Sequence, residues 1–352
     1  MLLTVSTVKD SVDNVAFFVA ANLASGVDHM FVFLDAPAEP EQRDVAASLA
    51  GHPHVTCIPT TRRDWWREER PHGLNVRQRT NAGWVRSVLE PFTWAEWLFH
   101  VDGDEVACLD RAALAAVPPG VDAVWLPPWE AVSEWQPDGD RPRRFKRLLD
   151  EADLTLLQVL GRIPEATNQA YFHGHVMGKS GVRPASGSGL TLHDAVAPDG
   201  TRLERHEDPR LKVLHYDAPS GEEFVRKWTA LAQAGPARYR ASRAPVAKAL
   251  RTLVGRDLPD DVRAKYLREV YEATTRDDVE TLGELGLLEG ADPTAPATAV
   301  APRRLEPADA ERLAARVAEL SDVPKGPYLV DDKPAEQPAG RREQLRRLAR
   351  RG

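Results

Sequence analysis

The sequence predicts an α/β fold, a mostly parallel sheet flanked by helices with a helical C-terminal appendage. Three observations predict it. Over residues 1–101, apolar β-rich runs alternate with stretches of helical periodicity, and strands separated by helices imply parallel pairing with helices on both faces. A last strand pattern returns at 211–214, after a long interval rich in tryptophan and histidine. From about residue 235 the apolar positions fall at helical spacing, with no strand pattern among them.

The elements follow in order. Residues 2–8 read as a strand. Residues 12–24 read as a helix with Val12, Val15, Ala16, Val19 and Leu23 on one face and Gly26 just past its end; 29–34 is the second strand, which makes a βαβ opening. A helix at 41–49, a strand at 55–59, a longer helix at 76–89 and a fourth strand at 97–101 continue the alternation. Beyond them lie a strand at 123–127, the strand at 211–214 and a helix at 221–234. Helical patterns then cover 246–254, 262–274 and 279–288. An Ala-, Pro- and Thr-rich linker at 291–307 leads to a helix at 307–320 and an arginine-rich tail at 341–351. The expected organisation is a main domain at 1–234, a helical appendage at 235–290, and a linker, helix and basic tail at 291–352.

The 352 residues suffice for one full-sized catalytic domain and a smaller part. A net charge of -7 argues against a general nucleic-acid binder. The tail can touch anionic lipid, which would make the protein membrane-peripheral, but its apolar face holds only Leu345, Leu348 and Ala349, so a solvated end is the plainer reading. Cys57 and Cys108 lie far apart and read as small buried hydrophobes, not a disulfide. With no run near ~18 apolar residues and no charged leader, the expectation is a soluble, unprocessed, cytoplasmic protein.

One motif stands out, Asp102-Gly103-Asp104-Glu105 after the apolar run 97–101. If the strand continued, Asp102 and Asp104 would point the same way, with Gly103 allowing close approach to the backbone. Hard divalent cations favour such oxygen ligands, and magnesium is commonly shared between carboxylates and a substrate's phosphates. Asp-Gly is also ordinary turn chemistry. Position favours the metal reading. Asp35 follows the second strand as the Asp102–Asp104 pair follows the fourth, and ligands of open α/β sheets bind at that carboxyl edge.

Together with Thr7-Val8-Lys9-Asp10, Gly26-Val27-Asp28-His29, Leu214-His215-Tyr216 and Glu223-Phe224-Lys227, these residues resemble the GT-A glycosyltransferases, closest to the family 2-like and family 92-like branches. The resemblance covers about 1–228. It implies a nucleotide loop at Thr7, Lys9 and Asp10, nucleoside contact by Asp35, a metal at Asp102 and Asp104, and His215 as a further ligand. Gln78 and Asn81 resemble polar positions that face the nucleotide. It further implies a manganese or magnesium cofactor, a nucleotide-sugar donor and a glycan, lipid-linked or small-molecule acceptor. The chain departs from the family in having Asp10-Ser11 where Asn-Glu is common, Val106 where an aromatic often follows, and Ala36-Pro37 after Asp35.

The chemistry of such a transfer asks for more. Negative charge grows on the leaving diphosphate, for which Lys179, Arg183 and Arg77 are candidate donors. An inverting enzyme needs a carboxylate base, for which Glu130, Asp194 and Asp217 are available. The order of motifs in inverting relatives favours Asp194. His173, His175 and His193 read as structural or acceptor-contacting, and His100 as packed in the sheet. Trp129 and Trp135 either stack on a sugar or cover the sheet. Two competing readings are a nucleotidyltransferase, which would be expected to carry a glycine-rich basic first loop where this chain has Thr4–Asp10 without glycine, and a non-catalytic binding or scaffolding protein on the same fold.

Overall fold

A computed structural model describes residues 1–139, 141–233, 244–295 and 300–330. In chain order the strands are β1 (Leu2–Val8), β2 (His29–Leu34), β3 (Val55–Pro59), β4 (Trp97–His100), β5 (Glu105–Cys108), β6 (Ala123–Leu126), β7 (Pro128–Ala131), β8 (Arg144–Lys146), β9 (Lys179–Val182), β10 (Gly189–Leu190), β11 (Ala195–Val196), β12 (Lys212–His215) and β13 (Leu288–Gly290).

The main sheet has the order β3-β2-β1-β4-β9-β6. β1 to β4 pair in parallel, and β9 runs antiparallel between β4 and β6. The parallel strands are apolar on both faces because helices cover both, and every residue of β1, β2 and β4 is buried. On one face the helix Val12–Ala24, capped by the Ser11 hydroxyl at the Asn14 amide, packs Val15, Phe18, Val19 and Leu23 against Val32, Phe99 and their neighbours. On the other, the helix Leu74–Leu89 packs Trp84, Val85, Val88 and Leu89 against Val5, Phe33 and Leu98. The fold is therefore α/β, with a mostly parallel sheet between helices.

The order of the strands reverses between β1 and β4, because the chain adds β2 and β3 to one side of β1 and then crosses to the other. A crevice opens at the carboxyl edge of such a switch point. Thr7 ends β1 there, Asp35 follows β2 and Asp102 follows β4.

A second sheet, β13-β8-β7-β12-β5, begins where the chain leaves the first. The aspartate motif is that crossing. β4 stops at His100, and residues 102–105 form a turn in which the Glu105 amide donates to the Asp102 carbonyl at 3.1 Å. Asp102 and Asp104 thus do not share one strand face as strand alternation implied, since the turn aims them at different partners. Gly103 does meet a close approach: a Cβ there would lie 3.1 Å from Val8 Cγ1.

Two features of the C-terminal part differ from expectation. The helix expected at 279–288 stops at Glu284, and after Gly286, whose φ of +68° is left-handed, Leu288–Gly290 adds to the open edge of β8 as β13. The helix Pro307–Ser321 docks on the main core, where Leu313 and Leu320 are buried and the Leu320 carbonyl accepts from Trp84 Nε1 at 2.9 Å. Burial of each leucine stabilises this docking by about 1.5–3 kcal/mol. The basic stretch at 341–351 lies outside the described residues. Among the described residues no helix is long and apolar enough to cross a membrane.

Candidate metal and donor site

Strand register builds the centre of the site. β12 lies between β5 and β7, so His215 stands opposite Glu105 on one side and opposite Glu130 on the other; Glu130 in turn stands opposite Lys146 on β8. Directly opposed residues present their side chains to the same face of a sheet. The result is a row of alternating charge, Glu105, His215, Glu130 and Lys146, crossing β5, β12, β7 and β8. All are nearly or fully buried.

Gly174 lies over this row. A Cβ there would fall 2.5 Å from His215 Cε1 and 2.6 Å from both His215 Nδ1 and Glu130 Oε2, so only glycine lets the loop close on it. Its amide and that of His173 both donate to the Glu130 carboxylate, the latter at 2.8 Å. Lys146 Nζ completes the Glu130 shell at 2.9 Å and also holds Asp277 at 2.8 Å. Burial pushes the Glu130 carboxyl up, and Lys146 together with His173 and His215 outweighs it, so Glu130 is held below the usual carboxylate range. Enclosed and fully partnered, Glu130 holds the row together.

At the other end the row reaches the aspartate motif. Glu105, fully buried, takes His175 Nε2 at 3.0 Å, Lys179 Nζ at 3.2 Å and the Asp102 amide at 2.7 Å. Burial opposes its ionisation, but Lys179 and then His175 and His215 keep it far below its ordinary range. Lys179 also donates to Asp102 Oδ2 at 2.6 Å and to the Leu192 carbonyl at 3.2 Å, while Gln78 Nε2 donates to Asp102 Oδ1 at 2.6 Å. Both oxygens of Asp102 are thereby engaged.

Asp104 is different. Its carboxylate is 34% exposed, and its Oδ2 lies 3.8 Å from His215 Nε2, which is 4.0 Å from Asp217 Oδ1. Atoms of Asp104, His215 and Asp217 all fall within 4.8 Å of one another, as do those of Glu105, His175 and His215. Ligand atoms about 2.0–2.2 Å from a shared ion stand roughly 3–4 Å apart, so the first trio has the spacing of a coordination edge. The carboxylate–imidazole donor set suits a divalent metal. In the second trio Glu105 Oε2 is committed to Lys179 and the Asp102 amide, and Oε1 is hydrogen-bonded to His175 Nε2. Burial would push the His215 imidazole down, yet Asp104, Asp217 and Glu105 raise it to about 9. Its Nδ1 and that of His175, stacked on it at 4.9 Å, are buried without a hydrogen-bond partner.

The remaining sequence-derived residues fall into three places. At the crevice, Thr7 Oγ1 accepts from Asn81 at 2.9 Å, and Asp35 is gripped bidentately by Arg77 at 2.7 and 2.6 Å, with Arg70 at 3.2 Å. Arg77 also donates to the Pro71 and His72 carbonyls, so it orients Asp35 where a free phosphate donor was expected. Near the crevice, Asp10 accepts from the Ser11 amide and Asn14 and pairs with Arg226 at 3.0 Å, whereas Lys9 pairs with Glu39 in solvent at 2.6 Å. Asp194 pairs with Arg202 at 3.2 Å and Arg205 at 3.5 Å, beside His193, whose ring lies 4.4 Å from His175.

Arg183 is not brought to the site. β9 runs antiparallel to β4, so Lys179 falls at the carboxyl edge and Arg183 at the opposite one, 4.2 Å over the Trp97 ring. Trp129 is covered by Lys212 and Trp135 packs on Tyr271 and Arg268. His100 is buried in the sheet. Cys57 and Cys108 are free thiols.

Sequence reasoning gave no metal role to Asp217 and no role to Lys227. The signal for Asp217 was its spacing, two residues after His215 off a strand end, which returns a side chain to the same side. Lys227 came within reach only through the helix Gly221–Gln233, which starts four positions beyond Asp217 and folds its side chain back.

No family model matches the chain, and no curated protein matches it. Among solved structures it is similar to HddC from Yersinia pseudotuberculosis, at 11% identity over 64% of this chain and 97% of that one, with a TM-score of 0.31. It is also similar to the inositol-1-phosphate CTP transferase from T. maritima, at 8% identity over 74% of this chain and 98% of that one, TM-score 0.27. A third is the galactosyltransferase LgtC in complex with donor and acceptor sugar analogues, at 14% identity over 75% of this chain and 100% of that one, TM-score 0.24.

Proposed function

We propose that the chain is a GT-A-fold glycosyltransferase, of the family 2-like or 92-like kind, that moves a sugar from a nucleotide-sugar to an acceptor in glycan or polysaccharide assembly. The observation that carries this reading is the convergence of Asp104, His215 and Asp217 at the carboxyl edge of a strand-order reversal, with Asp102 two residues before Asp104 in the same turn. A manganese or magnesium ion on that trio would supply positive charge to the leaving diphosphate.

The chain's own residues have distinct tasks in this reading. Asp35, oriented by Arg77, receives the nucleoside, and Thr7, Asn81 and Gln78 line the strand ends where the donor would lie. Lys179, fully buried, keeps Glu105 ionised and holds Asp102 in place. Asp194 takes the acceptor proton, its carboxylate held by Arg202 and Arg205. The catalytic unit is 1–234, with the appendage at 235–290 bracing it through Asp277 and, within 291–352, the helix Pro307–Ser321 docked on it.

A panel of nucleotide-sugars assayed for manganese-dependent hydrolysis tests the reading. One donor should turn over with the ion present, and Asp104→Ala should lose about 100-fold or more, as expected for a site worth several kcal/mol. No turnover of any donor, or an alanine variant like wild type, refutes it. Asp194→Asn should cut transfer to an acceptor by about 100-fold while donor binding holds; unchanged transfer removes Asp194 as the base.

A further inference from the structure

The oxygens facing the proposed metal position are already held by a cation. Lys227 Nζ donates to Asp217 Oδ1 at 2.7 Å, to the Asp217 carbonyl at 3.0 Å and to Asp104 Oδ2 at 3.1 Å. Asp217 Oδ1 and Asp104 Oδ2 are the same two oxygens that face His215 Nε2. An ammonium needs them at hydrogen-bond distance and a metal ion at about 2.0–2.2 Å. Two cations that close on the same pair of oxygens repel each other, so each weakens the hold of the other.

We propose that Lys227 is a tethered cation that closes the Asp104–His215–Asp217 site, and that a divalent metal binds by displacing its ammonium. The inference rests on the reading of that trio as the metal site. It concerns how the site is filled, not which sugar is moved.

Two observations favour displacement over a fixed structural role. The Lys227 side chain is 30% exposed, whereas Lys179 and Lys146 are both 0% exposed. It therefore has a path into solvent. Its four-carbon stem, rooted on the helix Gly221–Gln233, can swing without moving the backbone.

Manganese titrations of the full-length chain, followed by electron paramagnetic resonance without nucleotide, test the proposal. Lys227→Met should bind manganese about tenfold more tightly than wild type, since a competing charge is gone. Lys227→Arg, which keeps the charge, should not tighten it. In wild type, amine labelling followed by mass spectrometry should show Lys227 more reactive when manganese is added, with Lys179 unchanged. Equal or weaker manganese binding by the methionine variant overturns the proposal, as does a Lys227 labelling rate that ignores or falls with the ion. If wild type binds manganese and Asp104→Asn abolishes that binding while Lys227→Met brings no gain, the metal site stands and only the tethered-cation proposal fails. If neither protein binds manganese, the metal reading itself fails and takes this proposal with it.

Discussion

The two ends of the row Glu105–His215–Glu130–Lys146 are made of the same parts and behave differently. At the Lys146 end, one ammonium serves Glu130, Asp277 and the Tyr171 carbonyl, His173 adds a contact to Asp277, and Lys146, Glu130 and Asp277 are buried. At the Glu105 end, Lys179 seals the buried side, but Asp102 and Asp104 are 28% and 34% exposed, and the partly exposed Lys227 reaches Asp104. A closed cluster in which each charge is matched by neighbours in sheet and loop holds the fold. An open one, with a partly exposed lysine and an imidazole lacking a partner at Nδ1, has capacity left for a ligand.

That contrast can be broken in order of expected effect. Lys146→Met should cost about 3–5 kcal/mol of unfolding free energy in urea, because Glu130 and Asp277 lose their shared cation while buried; a loss under about 1 kcal/mol would mean the sealed end does not support the fold. Gly174→Ala should cost about 1–3 kcal/mol, since the added methyl overlaps His215 and Glu130, and should also weaken metal binding by shifting His215. A variant with wild-type stability and metal affinity would show that the loop does not press on the row.

The smallest effect is the pH dependence. Burial, with nearby His54 and His52, lowers His29 to about 4, and burial with Lys179 lowers His100 to about 4. Both are neutral in the fold and take up protons more readily once unfolded. The unfolded state therefore binds more protons between about pH 6.5 and 4, and stability falls as pH drops through that window, by at most roughly 1.4 kcal/mol per pH unit for each group. Urea midpoints measured from pH 7 to 4.5 should show the fall, and His29→Gln should make it shallower. A flat profile contradicts the assignment of these imidazoles as buried and neutral.

Much of the main sheet is written locally. The runs at 2–8, 29–34 and 55–59 are apolar, flanked by turns, and coincide with β1, β2 and β3. The aspartate motif was visible for the same reason, sitting where an apolar run meets polar residues. What could not be read is long-range. That β4 ends at His100 and the chain turns into a second sheet separates Asp102 from Asp104. That β9 lies antiparallel to β4 puts Lys179 under the motif and Arg183 at the far edge. Glu105 looked like a bystander to the aspartates, and only its register with His215 shows it as part of a row. The strand Leu288–Gly290 carries no apolar alternation and forms because β8 offers it an open edge.

The central claim is that a divalent ion sits where Asp104, His215 and Asp217 converge. Anomalous diffraction from a crystal of the full-length chain grown with manganese measures this directly. The account predicts a single strong peak within about 2.0–2.3 Å of Asp104 and His215, with Lys227 moved off the carboxylates. No peak at that position, with Lys227 still bridging Asp104 and Asp217 at saturating manganese, would contradict it.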